Sequence, residues 1–358
     1  MLKTSTLSVA IAVVLAGSGA AMADETAGTA SYGKGYTIQD GDNRIGIMGR
    51  IQGRVTYEAL DGLGGEGEEA DQAYFTLQRT RLKMQGKTYS SDLSWKFEVD
   101  FGKDKFSLKD YYLDWNLGAA VLRIGQWKKP FSRQRISSSS KLEFVDRTAN
   151  MKAFNADRDV GFGFHNNYTK SPTFEWAVGV FNGQGPNVQV DHMSPMVVAR
   201  AGYNHNGIKG YSEADLEGGG FRFGVAASVM SDLAPVSEDE TTGEITRLDA
   251  AHSAQVDFSL KAHGFASTGE VFLNLEEGGA IGAHLQAGYL LGGKWQPAIR
   301  AVYIDRGDDD VHQEVGAALS AYLYKHSVKW QSDVSAVLGS EDGEDTDLIA
   351  RSQIQLAF

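Results

Sequence analysis

The chain has 358 residues, no cysteine, 42 glycines, 6 prolines and a formal net charge of −12. Without cysteine it has no disulfide scaffold and no thiol for a lipid anchor. No apolar stretch is long enough to cross a bilayer as a helix, and no nucleic-acid partner is expected of so acidic a chain.

Met1 to Ala23 reads as a secretory signal, with Lys3 as the charge, Val9 to Ala16 as the apolar centre and Ala21-Met22-Ala23 as the small-residue cleavage site. Residues 24–43 are expected to be a periplasmic amino-terminal segment of the exported chain. Within it Gly28 to Lys34 mimics a phosphate-binding loop, but no strand precedes it and Gly35 stands where a hydroxyl residue is needed. This stretch is expected to be a flexible tether.

From Arg44 onward, segments of period two recur between turn residues. In 44–58, Ile45, Ile47, Ile51, Val55 and Tyr57 share one face, and Arg44, Arg50, Gln52 and Arg54 the other. In 72–88, Arg79, Arg81, Lys83, Gln85 and Lys87 oppose Leu82 and Met84; in 93–101, Leu93, Trp95 and Phe97 oppose Lys96 and Glu98. Further strands are expected at 107–117, 119–127, 159–169, 173–182, 196–206, 220–231, 250–263, 265–275, 281–292, 294–305, 312–325, 327–338 and 347–358. The last ends on Phe358, with Leu356 and Ile354 on its parity and Gln353 and Gln355 on the other. Sixteen strands at about twenty residues each, loops included, predict an all-β fold, a transmembrane antiparallel barrel over 44–358. A barrel of that size encloses a wet channel.

Parity sets Leu82, Leu93, Trp95, Phe97 and Ile124 against lipid. It sets a ladder of Arg54, Arg81, Lys83, Lys96, Asp110, Arg123 and Lys128 on the lumen, with Arg200, Arg222, Arg300 and Arg351 further round. The acids Glu66, Glu68, Glu69, Asp71, Glu238 to Glu240, Asp308 to Asp310 and Glu341 to Asp347 fall between strands, as solvated loops; none has the spacing of a calcium loop. Short turns such as 324–327 should alternate with these longer loops, one kind at each end of the barrel.

After the fifth strand a segment over about 128–158 is too long for a tight connection. It carries Arg133, Arg135, Ser137 to Ser140, Lys141, Arg147, Lys152 and Arg158. Folded into the pore, it forms a constriction in which guanidinium forks and serine hydroxyls replace the hydration shell of an anion. Left outside, the same cations would face lipopolysaccharide phosphates.

Several stretches together resemble the phosphate-selective porin O/P family: Gly49-Arg50-Ile51-Gln52, Arg79-Thr80-Arg81-Leu82 before Gly86, Trp95 to Phe101, Lys109-Asp110-Tyr111-Tyr112-Leu113, Arg123 to Phe131, Ser139-Ser140-Lys141 and Asp146-Arg147. The resemblance covers roughly 49–187. It implies a trimeric channel of a Gram-negative outer membrane for small inorganic anions such as phosphate, in contact with outer-membrane lipid and lipopolysaccharide and needing no cofactor. It places Arg50, Arg79, Arg135, Ser139, Lys141 and Arg147 at the constriction, with Lys96 and Asp110 nearby. Gln78-Arg79 stands where phosphate-specific members have adjacent arginines, and Arg81 and Lys128 stand at aromatic positions; these departures favour anion preference over strict phosphate selectivity. A general non-selective diffusion porin is the alternative. No His-Glu-x-x-His or Gly-x-Ser-x-Gly is present, so an enzyme is not expected.

Overall fold

The computed structural model describes residues 27–31, 35–59, 71–188, 194–238, 245–276, 278–307, 310–338 and 346–358. The expected signal 1–23 lies outside them, as do the loop acids Glu66, Glu68, Glu69, Asp239, Glu240, Asp308, Asp309, Glu341, Asp342, Glu344 and Asp345. Sixteen antiparallel strands close into a barrel. They are β1 (Asn43–Ala59), β2 (Gln72–Thr88), β3 (Ser90–Asp100), β4 (Ser107–Asn116), β5 (Val121–Lys128), β6 (Arg158–His165), β7 (Phe174–Phe181) and β8 (Met196–His205). The second half is β9 (Arg222–Asp232), β10 (Ala251–Ala262), β11 (Phe265–Asn274), β12 (Ile281–Tyr289), β13 (Trp295–Asp305), β14 (Val311–Tyr324), β15 (Val328–Leu338) and β16 (Thr346–Ala357). Each strand lies within a few residues of its sequence expectation.

Burial is inverted relative to a water-soluble fold. Along β13, Ile299 is 67% exposed while its neighbour Arg300 is 3% exposed, and the alternation runs nearly the length of the strand. Leu82 and Ile124 are exposed as parity requires; Leu93, Trp95 and Phe97 are half-buried. Such an outer face is stable only against hydrocarbon, where an arginine placed by a one-residue slip would cost about 2–4 kcal/mol near the midplane.

The barrel closes between β16 and β1, from Leu348↔Ala59 to Ala357↔Arg50. Phe358 extends the seam: Gly49 N donates to the Phe358 carbonyl at 2.7 Å and Phe358 N to the Gly49 carbonyl at 3.0 Å. The Phe358 ring lies on Gly49, where a Cβ would meet it at 2.5 Å. On the terminal side of this seam, Gly35–Asp40 continues the sheet by pairing with β1, Tyr36↔Ile47 to Asp40↔Asn43, and Ala27–Ser31 pairs with it in turn. Residues 28–31, expected to be a flexible tether, are therefore a strand.

At the end carrying this hairpin and Phe358, most connections are short: Tyr89 alone, 117–120, 166–173, 263–264, 290–294 and 325–327. The exception is 206–221, which turns back into the barrel and buries Ile208, Tyr211, Glu213, Ala214 and Asp215. The rule of short turns at one end fails here, because this segment carries apolar side chains that fill the interior. Among the described residues no helix is long and apolar enough to cross a membrane.

Replacing Gly49 with Val should displace the Phe358 ring and open the seam. The expected outcome is a lower temperature for loss of the compact, heat-modifiable electrophoretic form, with deletion of Phe358 giving a loss at least as large.

Candidate functional site: a basic passage along one wall

The connection between β5 and β6 folds into the barrel, with short helices α1 (Arg133–Ile136) and α2 (Asn150–Ala153). Ser132 caps α1 by accepting from Arg135 N at 3.1 Å. The loop lies against the wall made by β10 to β16. There Phe131, Met151 and Phe154 pack with Phe272, Val302 and Ile304, and Phe154 stacks on Phe272 at 5.0 Å. Gly282 makes room, since a Cβ there would meet the Phe154 ring at 2.3 Å. Wall side chains also bind the loop backbone. Lys329 Nζ donates to the Leu142 carbonyl at 2.9 Å, Gln331 Nε2 to the Glu143 carbonyl at 2.9 Å, and Arg300 Nη1 to the Asp146 carbonyl at 2.9 Å. Val145 N donates to Asp333 at 2.9 Å and Gln134 N to Glu270 at 2.5 Å.

From the other end, 206–221 meets the same loop. Glu213 Oε2 accepts from Glu143 N at 2.7 Å and from Gln286 Nε2 at 2.9 Å, and Lys261 Nζ donates to the Ser212 carbonyl at 2.6 Å. Arg133 is buried here rather than in a passage, bound to Asp257 at 2.6 Å over the Tyr211 ring; Asp257 also holds Arg200 at 2.6 Å. The remaining lumen arginines of this half are likewise paired: Arg222 with Asp215, Arg300 with Glu314 and Arg351 with Asp333. On this side the loop, the 206–221 segment and the wall bury these side chains against one another.

Open space follows the opposite wall, β1 to β5, as three cavities that share residues. The outer cavity, of about 380 Å³, is lined by nine basic residues, among them Arg79, Arg81, Lys128, Arg135, Arg147 and Arg158, against Asp100 alone among the described side chains. The middle one, about 220 Å³, passes Arg81, Lys96, Glu98, Asp110, Arg123, Lys128, Ser139 and Arg158. The inner one, about 540 Å³, opens between Arg44, Lys83, Lys87, Lys96 and Asp114. The middle cavity is the smallest of the three.

Of the expected constriction residues, Arg79, Arg135 and Arg147 share the outer cavity. Ser139 lies on the middle one and accepts from Arg50 Nη2 at 3.0 Å. Lys141 lies apart: its side chain is exposed and its carbonyl accepts from Glu213 N, so it faces the 206–221 segment. In the ladder, Arg54 is buried and bound to Asp146 at 2.6 Å, and Arg123 grips Asp114 at 2.7 Å while stacking on Tyr112 at 3.8 Å. Lys96 binds Asp110, which also accepts from Arg158 at 2.7 Å. Lys128 Nζ donates to the carbonyls of Ile136 and Ser137, both at 2.9 Å.

Lys109, Lys103 and Lys105 line the outer cavity without having been expected there. Lys103 and Lys105 sit in the short 101–106 connection, where parity has no purchase. Lys109 is adjacent to Asp110, and strict alternation would point one of them at lipid. Between Phe97↔Tyr111 and Val99↔Leu108 the register slips, and this bulge lets both neighbours face the passage. A second slip, Gln52↔Arg79 to Gly53↔Leu77, does the same for Gln78 and Arg79.

The outer cavity is short of negative charge. Arg147 donates only to carbonyls, Gln134 at 2.9 Å and Ser137 at 2.6 Å, among the described residues. Burial, followed by the fields of Arg135, Arg79 and Arg158, pushes its guanidinium well below its usual pKa. Burial and then Arg158, Arg81 and Arg79 bring Arg135 down to about 9, although it pairs with Asp157. Buried Nε donors on Arg50 and Arg135 find no acceptor among the described residues, and each such orphan costs about 1–3 kcal/mol. Of these groups, Arg135 and Arg147 line the outer cavity, where an anion would offset their charge.

The family model for phosphate-selective porin O and P matches residues 47–289. The chain belongs to that family. No curated protein matches it by sequence. Solved structures share the porin fold: the outer membrane channel DcaP of Acinetobacter baumannii is 15% identical with a TM-score of 0.62, over 89% of this chain and 99% of its own. An anion-selective porin from Comamonas acidovorans is 10% identical with a TM-score of 0.58, over 88% and 100%. OmpT of Vibrio cholerae, in its trimer form, is 9% identical with a TM-score of 0.55, over 88% and 99%. Family and fold support an outer-membrane channel rather than an enzyme, and hence a Gram-negative outer membrane.

One loop group of this porin titrates within reach of ordinary conditions. Glu143 accepts from Gln286 at 3.0 Å and Gln296 at 2.5 Å, and burial, then Glu213, pushes its carboxyl up to about 8, with Lys261 opposing. A raised folded pKa means that its contribution to docking is complete below the unfolded value of 4.5 and is lost as pH rises through about 8. The loop should therefore loosen in alkali: open-channel current noise is expected to rise between about pH 7 and about pH 9, and Glu143→Gln should flatten that rise.

Proposed function

We propose that this protein is an anion-preferring diffusion channel, with phosphate or related oxyanions as its solutes. The observation that carries the reading is the outer cavity, where nine basic side chains face one described carboxylate. At about 5 Å and an effective dielectric of about 20, each cation lowers the energy of a passing monoanion by about 3 kcal/mol before desolvation is subtracted. Dehydrating phosphate is costly, so only several such contacts acting together make a useful site, and the serine hydroxyls add neutral donors. Arg50, Arg79, Arg135, Ser139 and Arg147 are the proposed contacts; Lys141 is left out because it faces the other segment.

The alternative, a non-selective porin, draws on Glu98, Asp100, Asp110 and Asp114 along the same wall. Each has a cation at 3.0 Å or closer: Arg81 for the first two, Arg158 for Asp110 and Arg123 for Asp114. The surplus is positive. Residues 1–23 are proposed as the export signal, and the apolar outer face as the lipid contact, with lipopolysaccharide around the loop-bearing end. A homotrimer is proposed on the precedent of the trimeric OmpT.

Arg79→Gln and Arg147→Gln should each move the zero-current potential in a KCl gradient toward zero and weaken phosphate block of chloride current, by about tenfold for a loss near 1.4 kcal/mol. Wild-type potentials in both variants would leave the non-selective porin as the better account.

A further inference from the structure

Asp146 holds a position that the anion reading does not use. Its carboxylate is 2.6 Å from Arg54 Nη1, 3.1 Å from Arg79 Nη2 and 3.6 Å from Arg351 Nη1. Three guanidinium groups around one carboxylate is the geometry that would hold a small oxyanion. The carboxylate is 24% exposed, and Arg79 lines the outer cavity, so the cluster borders the passage.

The three arginines do not need Asp146 to stay in place. Arg54 also donates to Gln353 at 3.1 Å, Arg79 to Gln52 at 3.0 Å and Arg351 to Asp333 at 2.7 Å. The loop is likewise held beside Asp146 by contacts that ignore its side chain: Val145 N to Asp333, Arg300 to the Asp146 carbonyl, and Arg147 to the Gln134 carbonyl. With its carboxylate neutralised, the cluster would keep its shape and carry an uncompensated positive charge.

We infer that the Asp146 carboxylate is an internal competitor for the permeating anion, filling the place on Arg54, Arg79 and Arg351 that an oxyanion would otherwise take. The inference rests on the anion-channel reading. A site with these arginines free would bind too tightly to release, and conduction needs binding that is favourable but weak. Asp146 is thus a specificity-determining residue that acts by opposing the ligand, distinct from the neighbouring Arg147 that attracts it.

The test is titration of inorganic phosphate against chloride current in planar bilayers, using the full-length protein and its Asp146→Asn variant. Half-block is expected at about tenfold lower phosphate in the variant, the effect of one additional charge-assisted hydrogen bond to the anion. The double variant Asp146→Asn/Arg351→Gln, which removes one cation with the acid and so conserves local charge, should shift the same way by less; it decides the matter should the single variant not assemble. Half-block unchanged or raised in the assembled variants, with wild-type anion preference retained, overturns the inference and spares the channel reading. A wild-type protein with no anion preference in a KCl gradient overturns both.

Discussion

The functional architecture depends on the bonding of the 129–157 loop to one side of the barrel. Sixteen strands alone enclose a wide, unselective hole. The loop narrows it because lysine, arginine and glutamine side chains of β13 and β15 reach its backbone carbonyls, satisfying groups that burial would otherwise orphan. Its aromatic residues then fill the space between loop and wall. With that side sealed, and 206–221 wedged in from the other end, the passage is pushed off axis against β1 to β5. The basic wall of the passage is therefore the earliest part of the barrel in sequence.

The two halves handle charge differently. In the packed half Arg133, Arg200, Arg222 and Arg300 each sit against a carboxylate, while buried Lys261 and Lys329 are held by backbone carbonyls. Along the passage the carboxylates are also paired, but the cations outnumber them, and several donate only to carbonyls. A protein of net charge −12 has thus kept a local positive surplus in a confined, partly dehydrated space, where each charge acts over a low-dielectric wall. Overall charge says little about what such a protein conducts.

Much of this was legible in the sequence because lipid enforces parity. A strand such as β13, with Ile299 out and Arg300 in, cannot slip, so all sixteen strands could be placed by alternation. Parity failed where the backbone breaks it: the bulge at Lys109 and Asp110 brings a lysine to the passage that alternation would send outward. It also had nothing to say about residues outside strands. Lys141 and Arg147 are six residues apart on one loop, yet only the second reaches the cavity, and the turns between them are set by contacts with distant strands. The inward course of 206–221 had one visible sign, Ile208 and Tyr211 in a connection too long for its end of the barrel. Neither residue belongs to a repeating pattern that would have given it weight.

The seam at Gly49 and Phe358 has a bearing on how the molecule comes into being. Gln52 bonds Gln355 across 303 positions of chain, and Phe358 completes the first strand's ladder. A nascent or translocating chain can form hairpins one after another, but it cannot cover its two raw edges until β16 has arrived. Pairing across such a separation is entropically slow, and open edges attract other chains in the interval. Once the edges meet, the same topology works in reverse: none of the sixteen barrel strands keeps a free edge over its paired length, and persistence of the barrel is governed by the rate of breaking one seam.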